Sequence, residues 1–212
     1  MRCKVENKRE YRTLPGAELR TKPDGKGITG YAALFNSLSH DLGGFVERIK
    51  PGAFARCLGS NPDVRCLFNH NPNIVLGRSK SGTLLLEEDE RGLKFDVTLP
   101  ATQAARDLYA SIERGDIDGA SFGFAVNSQT WLDEKDAAGN RCQVRELNDV
   151  DLFDAGPVTY PAYPATAVAA RALWPDGEPQ DVTDHREKKA EVPPPVDYTE
   201  TAMRLLELKK RQ

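Results

Sequence analysis

Between Ile28 and Leu99 the chain is a series of short apolar runs, each cut off by turn residues: Ile28 to Phe35, Phe45 to Ile49, Val64 to Phe68, Ile74 to Leu76, Thr83 to Glu87 and Leu93 to Leu99. Runs this short at this spacing favour a compact β architecture over alternating βα units. A hairpin is predicted where Leu84 to Val97 turns at its charged middle, because Leu93, Phe95 and Val97 alternate with Lys94 and Asp96. Further strands are expected at Ala120 to Val126 and from Val144 to Val158. Helices are expected at two places. Residues 102 to 114 carry a cap at Thr102, a stripe of Ala104, Leu108 and Ile112, and Gly115 just past the end. A shorter helix is expected around Ala53 to Leu58, after Pro51-Gly52.

At 212 residues the chain is long enough to bury a core, and the ends differ in character from the middle. The first 27 residues are polar and broken by Pro15, Gly16, Pro23, Gly25 and Gly27, so they read as an arm with at most one short strand. Residues 28 to 170 form the expected domain. Residues 171 to 196, with five prolines and many charges, read as a flexible linker. Residues 197 to 212 read as a short amphipathic helix, with an acid cap at Asp197, Glu200 three residues on, and an apolar stripe of Tyr198, Ala202, Leu205 and Leu206. That helix either frays or docks on a partner. A net charge of -3 argues against a nucleic-acid partner. No apolar run approaches a membrane span and the N-terminus lacks a signal-peptide pattern, so a soluble protein is expected. Cys3, Cys57, Cys66 and Cys142 show no C-x-x-C spacing and read as reduced thiols.

Two stretches carry the chemistry. In Phe68-Asn69-His70-Asn71-Pro72, period-2 alternation sets His70 on a face with Val64, Cys66 and Phe68, where a neutral imidazole can accept a hydroxyl proton. The structural alternative is a core histidine satisfied by backbone. His40 and His185 sit in polar surroundings and read as solvated. In Gly119-Ala120-Ser121-Phe122-Gly123-Phe124, Ser121 shares a face with Gly119, Gly123 and Ala125, while Ala120, Phe122, Phe124 and Val126 face the core. Small neighbours would expose the hydroxyl and leave room for an extended substrate. The alternative is a strand packed closely on another element. The flanking aromatics favour a strand, which disfavours the nucleophile elbow of an α/β-hydrolase. A serine and a histidine need an orienting group, and the acids of Glu146 to Asp154 are candidates. Alternation places Asp154 on the face of Val150 and Leu152, and Asp149 and Asp151 on the other; a solvated acid is the alternative. No H-E-x-x-H, paired C-x-x-C or Walker-type glycine loop is present, so neither a metal nor a cofactor is expected.

Five blocks in order resemble the signature segments of the prohead maturation proteases of tailed bacteriophages. They are Gly30 to Asn36, Glu47 to Phe54, Phe68 to Pro72, Gly119 to Phe124, and Pro161-Ala162-Tyr163-Pro164. The resemblance implies an α+β, mainly β fold: a small assemblin-like β-barrel surrounded by helices, related to the herpesvirus assemblins. It implies a serine endopeptidase with Ser121 as nucleophile and His70 as general base. Asp154 is implied as the third member, although many relatives carry Glu-Val-Ser where this chain has Asp154-Ala155-Gly156 and assemblins use a second histidine. The implied substrate is the major capsid protein with its scaffold region, cut inside the immature capsid in the host cytoplasm. Self-cleavage and self-association are further expectations; nucleic acid and membrane are not expected partners. A non-catalytic assembly or scaffolding module that keeps the fold is the alternative.

Overall fold

The computed structural model describes residues 8–14, 17–135, 139–160, 174 and 176–191, the last element by its side chains only to residue 185. The chain divides into two compact units, Met1–Glu178 and Pro179–Gln212. The described strands of the first unit pair into two sheets. One runs β1-β9-β10-β5-β6, with β4 also on β10; the other runs β2-β3-β8-β7. Their ranges are β1 Glu10–Leu14, β2 Arg20–Thr21, β3 Gly27–Leu34, β4 Val46–Ile49, β5 Arg65–Leu67, β6 Val75–Arg78, β7 Leu84–Glu88, β8 Gly92–Thr98, β9 Gly119–Lys135 and β10 Arg141–Val158. Among its described residues the unit is mainly β with two α-helices, α1 Ala55–Gly59 and α2 Gln103–Glu113. Among the described residues neither ladder closes into a barrel.

The long β9–β10 hairpin organises the first sheet. β1 runs antiparallel to the first third of β9, while β4 and β5 lie parallel to opposite ends of β10. The expected hairpin is β7–β8, turned by Asp89, whose Oδ1 accepts from Arg91 N at 2.8 Å and Gly92 N at 3.0 Å. α2 begins where Thr102 Oγ1 accepts from Ala105 N at 3.3 Å, and Gly115 beyond its end has φ +81°. Its buried stripe is Ala105, Leu108 and Ile112; Ala104, expected there, is exposed. Spacing of three and four residues describes that face better than a strict four.

A single buried cluster joins both sheets and both helices, including Ile28, Phe95, Val97, Phe122, Phe124, Leu152, Cys57, Leu108 and Ile112. Phe54, just before α1, meets Phe122 edge-on with ring centroids 5.7 Å apart. Each such aromatic contributes roughly 1.5–3 kcal/mol by burial, so the core fixes β9 from its aromatic face. Cys57, Cys66 and Cys142 are free thiols, and Cys3 lies outside the described residues.

Two expectations about the ends are corrected. Residues 10–21 hold two strands, and β1 pairs with β9 over five residues. Residues 180–191, expected as linker, form helix α3, Gln180–Glu191. Charge there does not imply disorder: Gln, Glu, Lys and Ala are good helix formers, and Pro179 sits at the start where no N–H is needed. The Pro179 carbonyl accepts from Val182 N and Thr183 N, both at 3.1 Å, and Asp181 in the first turn complements the helix dipole. The expected 197–212 helix and the Pro161 to Pro164 block lie outside the described residues.

Candidate active site

His70, Ser121 and Asp154 converge. Ser121 Oγ lies 2.7 Å from His70 Nε2, and His70 Nδ1 makes a short hydrogen bond to Asp154 Oδ1. A carboxylate can only accept, so Nδ1 carries a hydrogen and Nε2 of a neutral ring is left to take the serine proton. Ser121 Oγ is also 2.8 Å from the Arg12 carbonyl oxygen of β1. One hydroxyl hydrogen thus has two acceptors in reach. With a neutral ring it points at Nε2, since turning it to Arg12 would set two lone pairs against each other; with an imidazolium it turns to Arg12 while Nε2–H donates to Oγ.

Ser121 lies on the face of β9 that alternation predicts, whereas His70 and Asp154 arrive by routes that differ from it. β5 ends at Leu67, so His70 belongs to the β5–β6 loop and not to a strand face. Asn69 and His70 both adopt left-handed backbone, with φ +52° and +54°. For a residue with a Cβ that conformation costs about 1–2 kcal/mol. It is offset at Asn69, whose N–H donates to Pro157 O at 3.1 Å and whose amide exchanges two bonds with Thr159: Oδ1 accepts from Thr159 N at 2.8 Å and Nδ2 donates to Thr159 Oγ1 at 3.0 Å. The loop is thereby tied to the end of β10.

Asp154 reaches the serine face through a bulge. Leu152 pairs with Phe124 on the core face, yet Asp154 pairs with Gly123, so Phe153 is the extra residue. Strict alternation with Leu152 would have turned Asp154 toward the aromatic core. The expected residue is therefore in place, but the face predicted for it is corrected. Asp149 and Asp151 instead hold Arg56, at 2.7 and 2.5 Å.

The small-residue face of β9 is filled. Tyr11 pairs with Gly123 and Thr13 with Ser121, and Ser121 is 0% exposed, not surface-facing as expected. A Cβ on Gly123 would stand 2.5 Å from both Asp154 Oδ2 and Tyr11 Cε1. The Tyr11 ring stacks on His70, with centroids 3.9 Å apart and planes 17° from parallel. Burial foremost, with the charge of Asp154 adding to it, pushes the Tyr11 hydroxyl pKa up against the lowering effect of Arg9. The same two causes push up the Cys66 thiol, which makes it a poor rival nucleophile.

Beneath the other face of β1 lies a buried charge cluster. Arg12 bonds Glu47 at 2.8 Å and Glu10 at 2.6 Å; Arg145 bonds Glu10 at 2.7 Å and Glu47 at 3.1 Å; Trp174 Nε1 donates to Glu10 at 3.1 Å. Two cations face two anions, so the group is internally neutral. Sequence reasoning allowed at most one short strand in the first 27 residues and gave it no part in the site. The available signal was alternation of Glu10 and Arg12 with Tyr11 and Thr13. Among the described residues no group of three His, Cys, Asp or Glu side chains is placed to hold a metal ion.

Residues 16–175 match the family described as caudovirus prohead serine protease. The prohead protease of Enterobacteria phage HK97 is 37% identical over 114 residues, which cover 51% of this chain and 47% of that protein. The chain thus spans about half the length of that relative. A solved structure of the capsid assembly protease of bacteriophage T4 aligns over 74% of this chain and 99% of its own, with TM-score 0.47 and 14% identity. With 160 consecutive residues matched, from 16 to 175, the chain belongs to the caudovirus prohead serine protease family.

Proposed function

We propose that the chain is a serine endopeptidase that processes capsid and scaffold proteins within the procapsid, and that Ser121, His70 and Asp154 carry the reaction. The observation that supports this best is the 2.7 Å approach of Ser121 Oγ to His70 Nε2 with Asp154 on the opposite ring nitrogen. Ser121 Oγ attacks the scissile carbonyl carbon as its proton passes to His70 Nε2; the tetrahedral adduct collapses, the C–N bond breaks, and His70 returns the proton to the departing amine. Water, activated by the same imidazole, then hydrolyses the acyl-enzyme. Asp154 keeps the ring in the tautomer that accepts at Nε2 and stabilises the imidazolium that forms.

Ser121 has no exposed surface, so a polypeptide reaches Oγ only after the atoms over it move. The two sheets correspond, in this proposal, to the small assemblin-like barrel implied by the family. The major capsid protein with its scaffold region is the proposed substrate, the host cytoplasm inside the immature capsid the proposed location, and self-cleavage a proposed accompaniment. Co-expression with the capsid protein tests the assignment by intact mass. Ser121→Ala is expected to abolish processing and retain the native circular dichroism spectrum. Continued cleavage by that folded variant overturns the nucleophile assignment, and no processing by the folded wild type favours a non-catalytic assembly module.

A further inference from the structure

We infer that Tyr11 is a positioning residue for the His70 imidazole, so that the N-terminal strand forms part of the catalytic apparatus; this rests on the serine-peptidase assignment above. His70 stands on a loop in left-handed backbone and is held at two ring atoms, Nδ1 by Asp154 and Nε2 by Ser121. Both contacts lie in the plane of the ring, and neither stops the ring from moving along its normal. Such movement carries Nε2 out of line with Oγ. The Tyr11 face, 3.9 Å from the imidazole and 17° from parallel, blocks it. It also offers a π surface to the imidazolium that forms during proton transfer.

Three features show that this placement is built. Gly123, across the ladder from Tyr11, leaves the space its ring needs. Arg12, the next residue, is locked in the buried cluster by Glu10 and Glu47, so β1 cannot shift without breaking charge pairs. On the other side, the Arg9 guanidinium, whose charge acts on the Tyr11 hydroxyl, lies over the Phe153 ring at 4.8 Å, next to the bulge that presents Asp154. The start of β1 therefore braces His70 and the bulge that presents Asp154 to it.

The test uses the full chain and an alkyl fluorophosphonate, which an activated serine attacks at phosphorus with loss of fluoride. Tyr11→Phe keeps the ring and is expected to label within about threefold of wild type. Tyr11→Leu removes the ring and is expected to lower the maximal labelling rate roughly tenfold to a hundredfold, with half-saturating probe concentration unchanged. Proton NMR gives a second readout independent of chemistry: the His70 ring protons should be displaced upfield in wild type and Tyr11→Phe, and return in Tyr11→Leu. Wild-type labelling by a folded Tyr11→Leu protein, or no upfield displacement in wild type, overturns the inference. Labelling that survives in Ser121→Ala instead overturns the nucleophile assignment and leaves the NMR result to judge Tyr11.

Discussion

Gly123 has no room for a side chain, because the space one would take is occupied by the Asp154 carboxylate and the Tyr11 ring. Adding one methyl must displace one or both. Gly123→Ala is accordingly expected to cut serine labelling by about a hundredfold, the scale of a misplacement near 1 Å, with only part of that loss explained by stability. Gly119, four residues earlier on the same face, meets its nearest atom at 3.4 Å, so Gly119→Ala serves as the tolerated partner. Labelling rates normalised to folded protein decide the matter, and equal losses in the two variants would show that strand glycine itself is what matters. At this scale the sequence was informative about identity and misleading about direction. His70, Ser121 and Asp154 are legible as residue types in their segments. The left-handed loop and the bulge at Phe153 are not, since each breaks the period-2 count from which the faces were inferred.

The elements that the sequence reveals are those whose buried faces are apolar: β3, β7, β8, β9 and α2 follow hydrophobic alternation or helical spacing. β1 escapes because its core-side residues are Glu10 and Arg12. Their partners Glu47 and Arg145 come from β4 and β10, far along the chain, and no local pattern shows that these charges neutralise one another. Burial alone pushes the Glu10 carboxyl pKa up, but Arg12 and Arg145 together hold it below the ordinary 4.5. A carboxyl held low in the fold stabilises it fully above the unfolded value. On acidification below about 4.5 the unfolded chain binds its proton first, so the melting temperature should fall until Glu10 itself protonates. Glu10→Gln leaves two buried guanidiniums short of charge and is expected to cost about 3–5 kcal/mol at neutral pH, with a shallower loss in acid. Thermal melts from pH 7 to 3 check both, and identical acid slopes in the two proteins would remove Glu10 as the cause.

At the scale of the whole molecule, the expected boundary at residue 170 falls too early for the physics of the first unit. That unit runs to Glu178, and Trp174, 4% exposed, packs beneath Arg12 with its ring 5.5 Å from the guanidinium while donating to Glu10. Two further bonds tie the same stretch to the start of the chain: Arg9 N donates to Asp176 Oδ2 at 3.2 Å, and Lys8 Nζ donates to Glu178 O at 3.1 Å. The proline-rich composition after Arg171 hides this, because the single Leu173-Trp174 pair before prolines and charges raises no periodic signal. Two truncations separate composition from packing. Ending the chain after Glu178 removes α3 and everything beyond it, and is expected to leave the melting temperature and serine labelling close to those of the full chain. Ending it after Arg171 deletes Trp174, leaves Glu10 short of a donor and uncovers the Arg12 side chain, with an expected cost on the order of 3–5 kcal/mol, as for removal of a buried tryptophan. Because Arg12 also supplies the carbonyl beside Ser121, labelling by the shorter form should fall further than its folded fraction alone explains. Equal melting temperatures in the two truncated forms would show that Trp174 is dispensable and return the boundary to residue 170.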